Sequence, residues 1–332
     1  MSQRVPLSVL DLSLVRKGAS STEALLETTE LARQAERLGY TRFWVAEHHN
    51  MSTVASTSPP VLMAHIASVT SRIRVGSGGV MLPNHASLAV AEQFAMLEAL
   101  HPHRIDLGIG RAPGTTPAVA AALRRSPNML GAEDFPSQLI ELMGLLGDPR
   151  VNSDRIPRII PTPKATSWPS IILLGSSDYS AQFSAELGLP FAFAHHFDTG
   201  GTLTALDLYR SGFKPSHVLD EPYAIVTASV LVADTEEEAF YQAAPGMLMS
   251  YAIRTGRLVE LISPEEAMNH PDLEAAKSLP SNRIYGTPEQ VLARLEDLQR
   301  QTQANELMIS NMTYGLEARV HSLELLAKVW NS

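Results

Sequence analysis

Two pairs of adjacent histidines, His48-His49 and His195-His196, each follow a short apolar run. Imidazole ligates metals and also moves protons near neutral pH, so the pairs admit two chemistries. The metal reading is the weaker. Neighbours on a strand point to opposite faces, so at most one of each pair faces a common interior, and no HExxH-type helical spacing is present. A single inward ring suits a proton donor or a hydrogen-bond partner better.

Gly175-Ser176-Ser177-Asp178-Tyr179-Ser180 lies between an apolar strand and a helix. Backbone N–H groups and three hydroxyls at a helix amino terminus suit a phosphate, although ordinary serine capping uses the same residue types. Arg111, after the neighbouring strand, can grip a phosphate with two parallel hydrogen bonds; a lone Arg in such a place otherwise forms a surface ion pair. Ser77-Gly78-Gly79 sits in a run that reads as a buried strand, where glycine weakens the strand and packs nothing. Either a flat aromatic ring lying against the backbone or a bulge would use that space.

Other chemistries lack their residues. No GxSxG elbow, P-loop or GxGxxG after a first strand appears, and Gly108-x-Gly110 alone is a weak signal. The chain has no cysteine, which excludes disulfides, thiolate metal sites and cysteine nucleophiles.

These segments need elements to hold them, and the apolar periodicity supplies a regular series. Strands are predicted at Val5 to Leu10, Thr41 to Ala46, Ile73 to Val80, Arg104 to Ile109, Ile171 to Leu174, Phe191 to Ala194, Ala224 to Val232 and Glu306 to Ser310. Helical patterns separate them. The first opens with a capping box at Ser20-Ser21-Thr22-Glu23 and closes at Gly39; others cover Pro59 to Val69, Ser87 to Leu100, Phe135 to Leu146, Ser177 to Leu187 and Glu317 to Trp330. Thr287-Pro288-Glu289-Gln290 is a further helix start.

Strict βα alternation implies a parallel sheet, and eight units is the number that closes, so the expected fold is α/β, a (β/α)8 TIM barrel forming one domain over residues 1–332. A doubly wound open sheet is the rival. Two intervals exceed simple loops, after strands 4 and 7: Ala112 to Phe135 and Asp234 to Ser281. Barrel enzymes carry such insertions over the active face, as lids or substrate walls.

Composition sets the outer limits. Of 332 residues 45% are apolar and 18% charged, enough to bury a large core. The formal charge of −9, from 35 acids against 26 bases with no basic run, disfavours nucleic acid and membrane surfaces. The amino terminus lacks a basic region and a cleavage site, and no apolar stretch nears the roughly 18 residues of a spanning helix, so cytoplasmic residence is expected.

Taken in order, Trp44-Val-Ala-Glu-His-His49, Val75-Gly-Ser-Gly-Gly-Val-Met-Leu-Pro83, Asp106-Leu-Gly-Ile-Gly-Arg111 and Gly286-Thr-Pro-Glu-Gln290 resemble the bacterial luciferase-like flavin-dependent monooxygenases, in their single-chain, non-luminescent branch. The likeness spans nearly the whole chain. It implies a barrel that takes reduced FMN from a separate NAD(P)H-dependent flavin reductase, uses O2 by way of a C4a-peroxyflavin, and oxygenates a small organic substrate. A homodimer is implied as well. By position, His48 matches the active-site histidine, Gly78-Gly79 a pair joined by a non-prolyl cis bond under the flavin, and Arg111, Ser176, Ser177 and Ser180 the phosphate site. The family's reactive cysteine near the fourth strand has no counterpart. Two alternatives remain: an oxidoreductase of the same fold that uses the deazaflavin F420, and a non-catalytic flavin-binding protein.

Overall fold

Eight parallel strands follow one another in the computed structural model: β1 (Leu7–Asp11), β2 (Arg42–Val45), β3 (Arg74–Ser77), β4 (Ile105–Gly110), β5 (Ser170–Gly175), β6 (Phe191–Phe193), β7 (Ala224–Val232) and β8 (Glu306–Ser310). The structure describes residues 4–112, 114–124, 133–151, 159–197, 200–257 and 260–332. Each strand pairs with the next, and β8 pairs with both β7 and β1, so the sheet closes. The fold is the (β/α)8 barrel, and the open-sheet rival is excluded by that closure.

Local chemistry explains the elements. Ser20 and Glu23 form a reciprocal cap on the helix Ser21–Arg37, and Gly39, at φ +85°, takes the left-handed conformation that ends it. Thr287 and Gln290 cap Pro288–Thr302 in the same way. The run expected as one strand from Ile73 to Val80 is broken instead. It ends at Ser77, resumes as the short pair Val80–Met81 and turns through Leu82–Asn84; the Gly78-Gly79 bond between the two strand pieces is cis.

Alternation gives the barrel two faces. Val9, Phe43, Val75, Leu107 and Val226 point outward and join the helices in the larger core. The alternate residues fill the interior in layers. The lower layer is ionic: the fully buried Asp106 carboxylate accepts from Arg42 Nη1 (2.8 Å) and from Arg74 Nε (2.9 Å) and Nη2 (2.6 Å). Arg42 Nε also donates to the buried Glu306 at 3.0 Å, so no interior carboxylate of this layer is left unpaired. Above it lies an apolar layer of Leu10, Trp44, Ile172, Ala192, Ile225 and Met308. Trp44 ties the two layers together, its indole Nε1 donating to Asp106 at 3.0 Å.

The interval after β7 is mainly helical, with Glu236–Arg254, Pro264–Met268 and Leu273–Lys277, before the strand Ile284–Gly286 pairs in parallel with the carboxyl end of β7. Thr235 and the acidic run Glu236 to Glu238 are a legible start for the first of these helices, which periodicity alone did not separate from a loop. In the interval after β4 the helix Pro117–Arg124 is formed, and residues 125–132 lie outside the described residues. Among the described residues no helix is long and apolar enough to cross a membrane.

Candidate active site

The apolar layer is the floor of a cavity of about 280 Å³ at the carboxyl ends of the strands. The seven residues that the resemblance assigned to the site line it: His48 beyond β2, Gly78 and Gly79 beyond β3, Arg111 beyond β4, and Ser176, Ser177 and Ser180 beyond β5. Their remaining company is mostly apolar, including Leu10, Trp44, Met81 and Leu174. A largely apolar recess with a few convergent polar groups is the usual form of a small-molecule site.

The glycines are required by this chain's own atoms. A Cβ on Gly78 would lie 2.7 Å from Leu10 Cδ1, and one on Gly79 would strike Leu174 and approach the Gly108 carbonyl oxygen at 2.8 Å. A Cβ on Gly108 would strike the Ser77 carbonyl oxygen in turn. The space they leave is thus closed by protein on one side, and their backbone faces the cavity on the other.

Beyond β5 the helix Asp178–Leu187 begins with Ser177 in extended conformation, and the Ser177 side chain makes no capping bond. The amides of the first turn therefore keep their capacity for an anion, where ordinary capping would have used it. Arg111 lies beside that turn, its guanidinium over the Tyr179 ring. Among the described residues it has no carboxylate partner, unlike a surface ion-pairing arginine.

Beyond β2 the two neighbouring histidines separate. His48 faces the cavity, and its Nδ1 is buried without a hydrogen-bond partner. Burial holds its pKa below the ordinary value, outweighing the attraction of the adjacent Glu47. His49 turns away and places Nε2 2.9 Å from Glu47 Oε1. Glu47 is fully buried, and its Oε1 also meets His85 Nε2 at 2.8 Å while its Oε2 accepts the Met81 amide at 3.0 Å. Burial alone would raise this carboxyl, but the His85, Met81 and His49 contacts together hold it below its ordinary value. Glu47 thereby fixes the wall that carries Met81, a role that a single sequence motif does not reveal.

The second pair needs a correction. His195 and His196 lie in a 3-10 turn, His195–Phe197, not on a strand. A residue in such a turn is rotated by roughly 120° from its neighbour, so strand alternation does not govern them. His195 Nδ1 approaches Thr202 Oγ1 at 2.7 Å, whereas His196 lines the cavity with Phe197, its Nδ1 3.3 Å from the Thr227 carbonyl. Burial pushes the His196 pKa down to about 4, so the ring is neutral at physiological pH. Among the described residues no three His, Asp or Glu side chains are grouped as a metal would need.

Residues 5–304 match the luciferase-like monooxygenase family. The chain belongs to that family. Relatives resemble it over nearly their whole length: the "Uncharacterized protein YvbT" of Bacillus subtilis is 47% identical, with 98% of this chain and 97% of that one covered. The "Luciferase-like monooxygenase" of Escherichia coli K12 is 40% identical over the same shares. Among solved structures, apo-MsnO8 superposes with a TM-score of 0.90 at 37% identity, covering 99% of this chain and 98% of that one. Two further solved structures show the fold alone. The oxygenating constituent of 3,6-diketocamphane monooxygenase from Pseudomonas putida, in complex with FMN, has a TM-score of 0.72 at 17% identity and coverage of 98% and 97%. The coenzyme F420-dependent tetrahydromethanopterin reductase of Methanopyrus kandleri has 0.68 at 14%, with 98% of each chain covered.

Proposed function

We propose that the protein is a flavin-dependent monooxygenase that uses reduced FMN and O2 to oxygenate a small organic substrate. The observation that carries the reading is the meeting, in one apolar cavity, of an uncapped helix start with Arg111 beside it and a buried His48 nitrogen with no partner. When bound, reduced FMN supplies two electrons to O2, so that one oxygen atom enters the substrate and the other leaves as water.

The chain's own part is binding, orientation and exclusion of water. Arg111, Ser176, Ser177 and Ser180 hold the phosphate, with charge-assisted bonds from the guanidinium and the amides of the helix start. The Gly78-Gly79 backbone, Leu10, Trp44 and Leu174 form the apolar bed for the ring. His48, neutral and desolvated, offers a hydrogen bond to the oxygen being transferred. The sequence carries no nicotinamide-binding fingerprint, which supports a separate NAD(P)H-dependent reductase as the source of reduced flavin.

Anaerobic titration with reduced FMN and, in parallel, reduced F420, followed by O2 and a substrate panel, tests this. Saturable binding of FMN with oxygen incorporated into a product supports it. Tight binding of F420 with no oxygen uptake would replace it with the deazaflavin reading.

A further inference from the structure

A second and larger cavity, of about 1080 Å³, adjoins the first, and His196 and Phe197 line both. Its other walls come from the helix Glu236–Arg254, the segment 276–286 and the helix Pro288–Thr302. Charge on these walls is one-sided. Arg254, Lys277, Arg283 and Arg294 face it against one carboxylate among the described lining residues, Glu236, although the whole chain carries −9.

Arg283 differs from the other three cations, which are exposed. It is partly buried and lies along the helix Glu236–Arg254 where Gly246 leaves room, since a Cβ there would strike Nη1. Its Nη2 donates to the Gly246 carbonyl (2.9 Å) and to Ser250 Oγ (3.0 Å). A purely structural clamp on the helix would account for those two bonds. It leaves Nε and Nη1 without partners among the described residues, and leaves the charge without a carboxylate. Burial lowers the guanidinium pKa to about 10, with no carboxylate to offset it. A partly buried guanidinium that lines a cavity with donors to spare and no carboxylate beside it suits an anion entering that cavity.

We infer that the second cavity binds the substrate, and that the substrate is an organic oxyanion, its acidic head group held at Arg283 and its apolar body against Phe240, Met247 and Phe197. The inference deepens the monooxygenase reading and rests on it for the word substrate. The apolar end then points to the wall at His196 and Phe197, where the two cavities meet. A carboxylate and a sulfonate share the chemistry that Arg283 recognises.

Calorimetric titration of the flavin-free protein with hexanoate, hexanesulfonate and the uncharged hexanamide tests the site without catalysis. At least one acid is expected to bind about tenfold or more tightly than the amide. Arg283→Met should erase that preference while leaving hexanamide and FMN binding unchanged, and Arg283→Lys should retain part of it. Equal binding of acids and amide by the unaltered protein would overturn the inference, and that comparison needs no variant to fold. Survival of the preference in Arg283→Met, or displacement of hexanoate by FMN, would overturn it as well. Failure of FMN to bind while the acid preference persists would count against the flavin reading alone.

Discussion

The guanidinium carbon of Arg111 lies 4.3 Å from the centre of the Tyr179 ring. One residue follows β4 and the other is the second residue of the helix that follows β5, so the contact joins two neighbouring strand ends. A guanidinium stacked flat on an aromatic face keeps its N–H edges free for an anion. The stack holds the positive charge beside the uncapped helix start.

Arg111→Ala should therefore weaken FMN binding about tenfold or more, a loss of roughly 1.5–3 kcal/mol in charge-assisted bonds. Riboflavin, which lacks the phosphate, should be nearly indifferent. Fluorescence titrations with both ligands decide the matter, and equal losses would refute the phosphate role. Tyr179→Leu should give a smaller loss of the same selectivity.

His48→Ala should lower oxygenation by about 10²–10⁴-fold with FMN affinity nearly unchanged, because position-specific proton or hydrogen-bond help is worth that much. Burial lowers the pKa of His48, so any acid limb due to it is displaced to lower pH than that of an ordinary histidine. His49→Ala, which removes a partner of Glu47, should reduce stability more than turnover per folded molecule. Product formation at equal folded concentration is the measurement, and a wild-type rate in His48→Ala would end the catalytic role.

Stability should fall as the medium is acidified. An unfolded histidine titrates near 6.5, whereas folding holds His196 down to about 4, so the unfolded chain binds the extra proton between those values. Stability from the neutral ring is complete above 6.5 and is lost as pH drops toward 4. His48, shifted in the same direction, adds to the effect. The His196 share is about 1–3 kcal/mol after allowance for its partial exposure. Melting curves of wild type and His196→Asn across this window should converge at low pH, and parallel curves would contradict the prediction.

Asp106→Ala should cost about 3–5 kcal/mol, because it leaves Arg42 and Arg74 facing each other inside the barrel without their shared carboxylate. Trp44 loses its acceptor in the same substitution, so its fluorescence in the folded state should change too. Denaturant unfolding followed at Trp44 reads both effects, and a loss below about 1 kcal/mol would show that the ionic layer is dispensable.

The strand count, the parallel order and most helix limits were legible because each depends on local pattern. Apolar runs spaced by helical stretches dictate βα units, and Ser20, Gly39 and Thr287 mark their ends by short-range hydrogen bonds or by φ. The motifs at Glu47 to His49, Ser77 to Gly79, Gly108 to Arg111 and Gly175 to Ser180 were legible as polar groups at strand ends, and barrel geometry brings strand ends together.

Only the tertiary structure decided what each of those groups meets. The break of the third strand at Gly78-Gly79 depends on Leu10, Leu174 and Gly108, which come from three other strands. The roles of His48 and His49 differ because Glu47, Met81 and His85 converge on one side of the chain and the cavity opens on the other. His196 enters the cavity through a 3-10 turn that strand periodicity does not describe. Arg283 gave no signal in the sequence at all, since its setting, partly buried and without a carboxylate among the described residues, exists only once the helix Glu236–Arg254 folds against it. Pattern within a segment fixes the elements, whereas burial and partnership are properties of segments distant in sequence that share one interior.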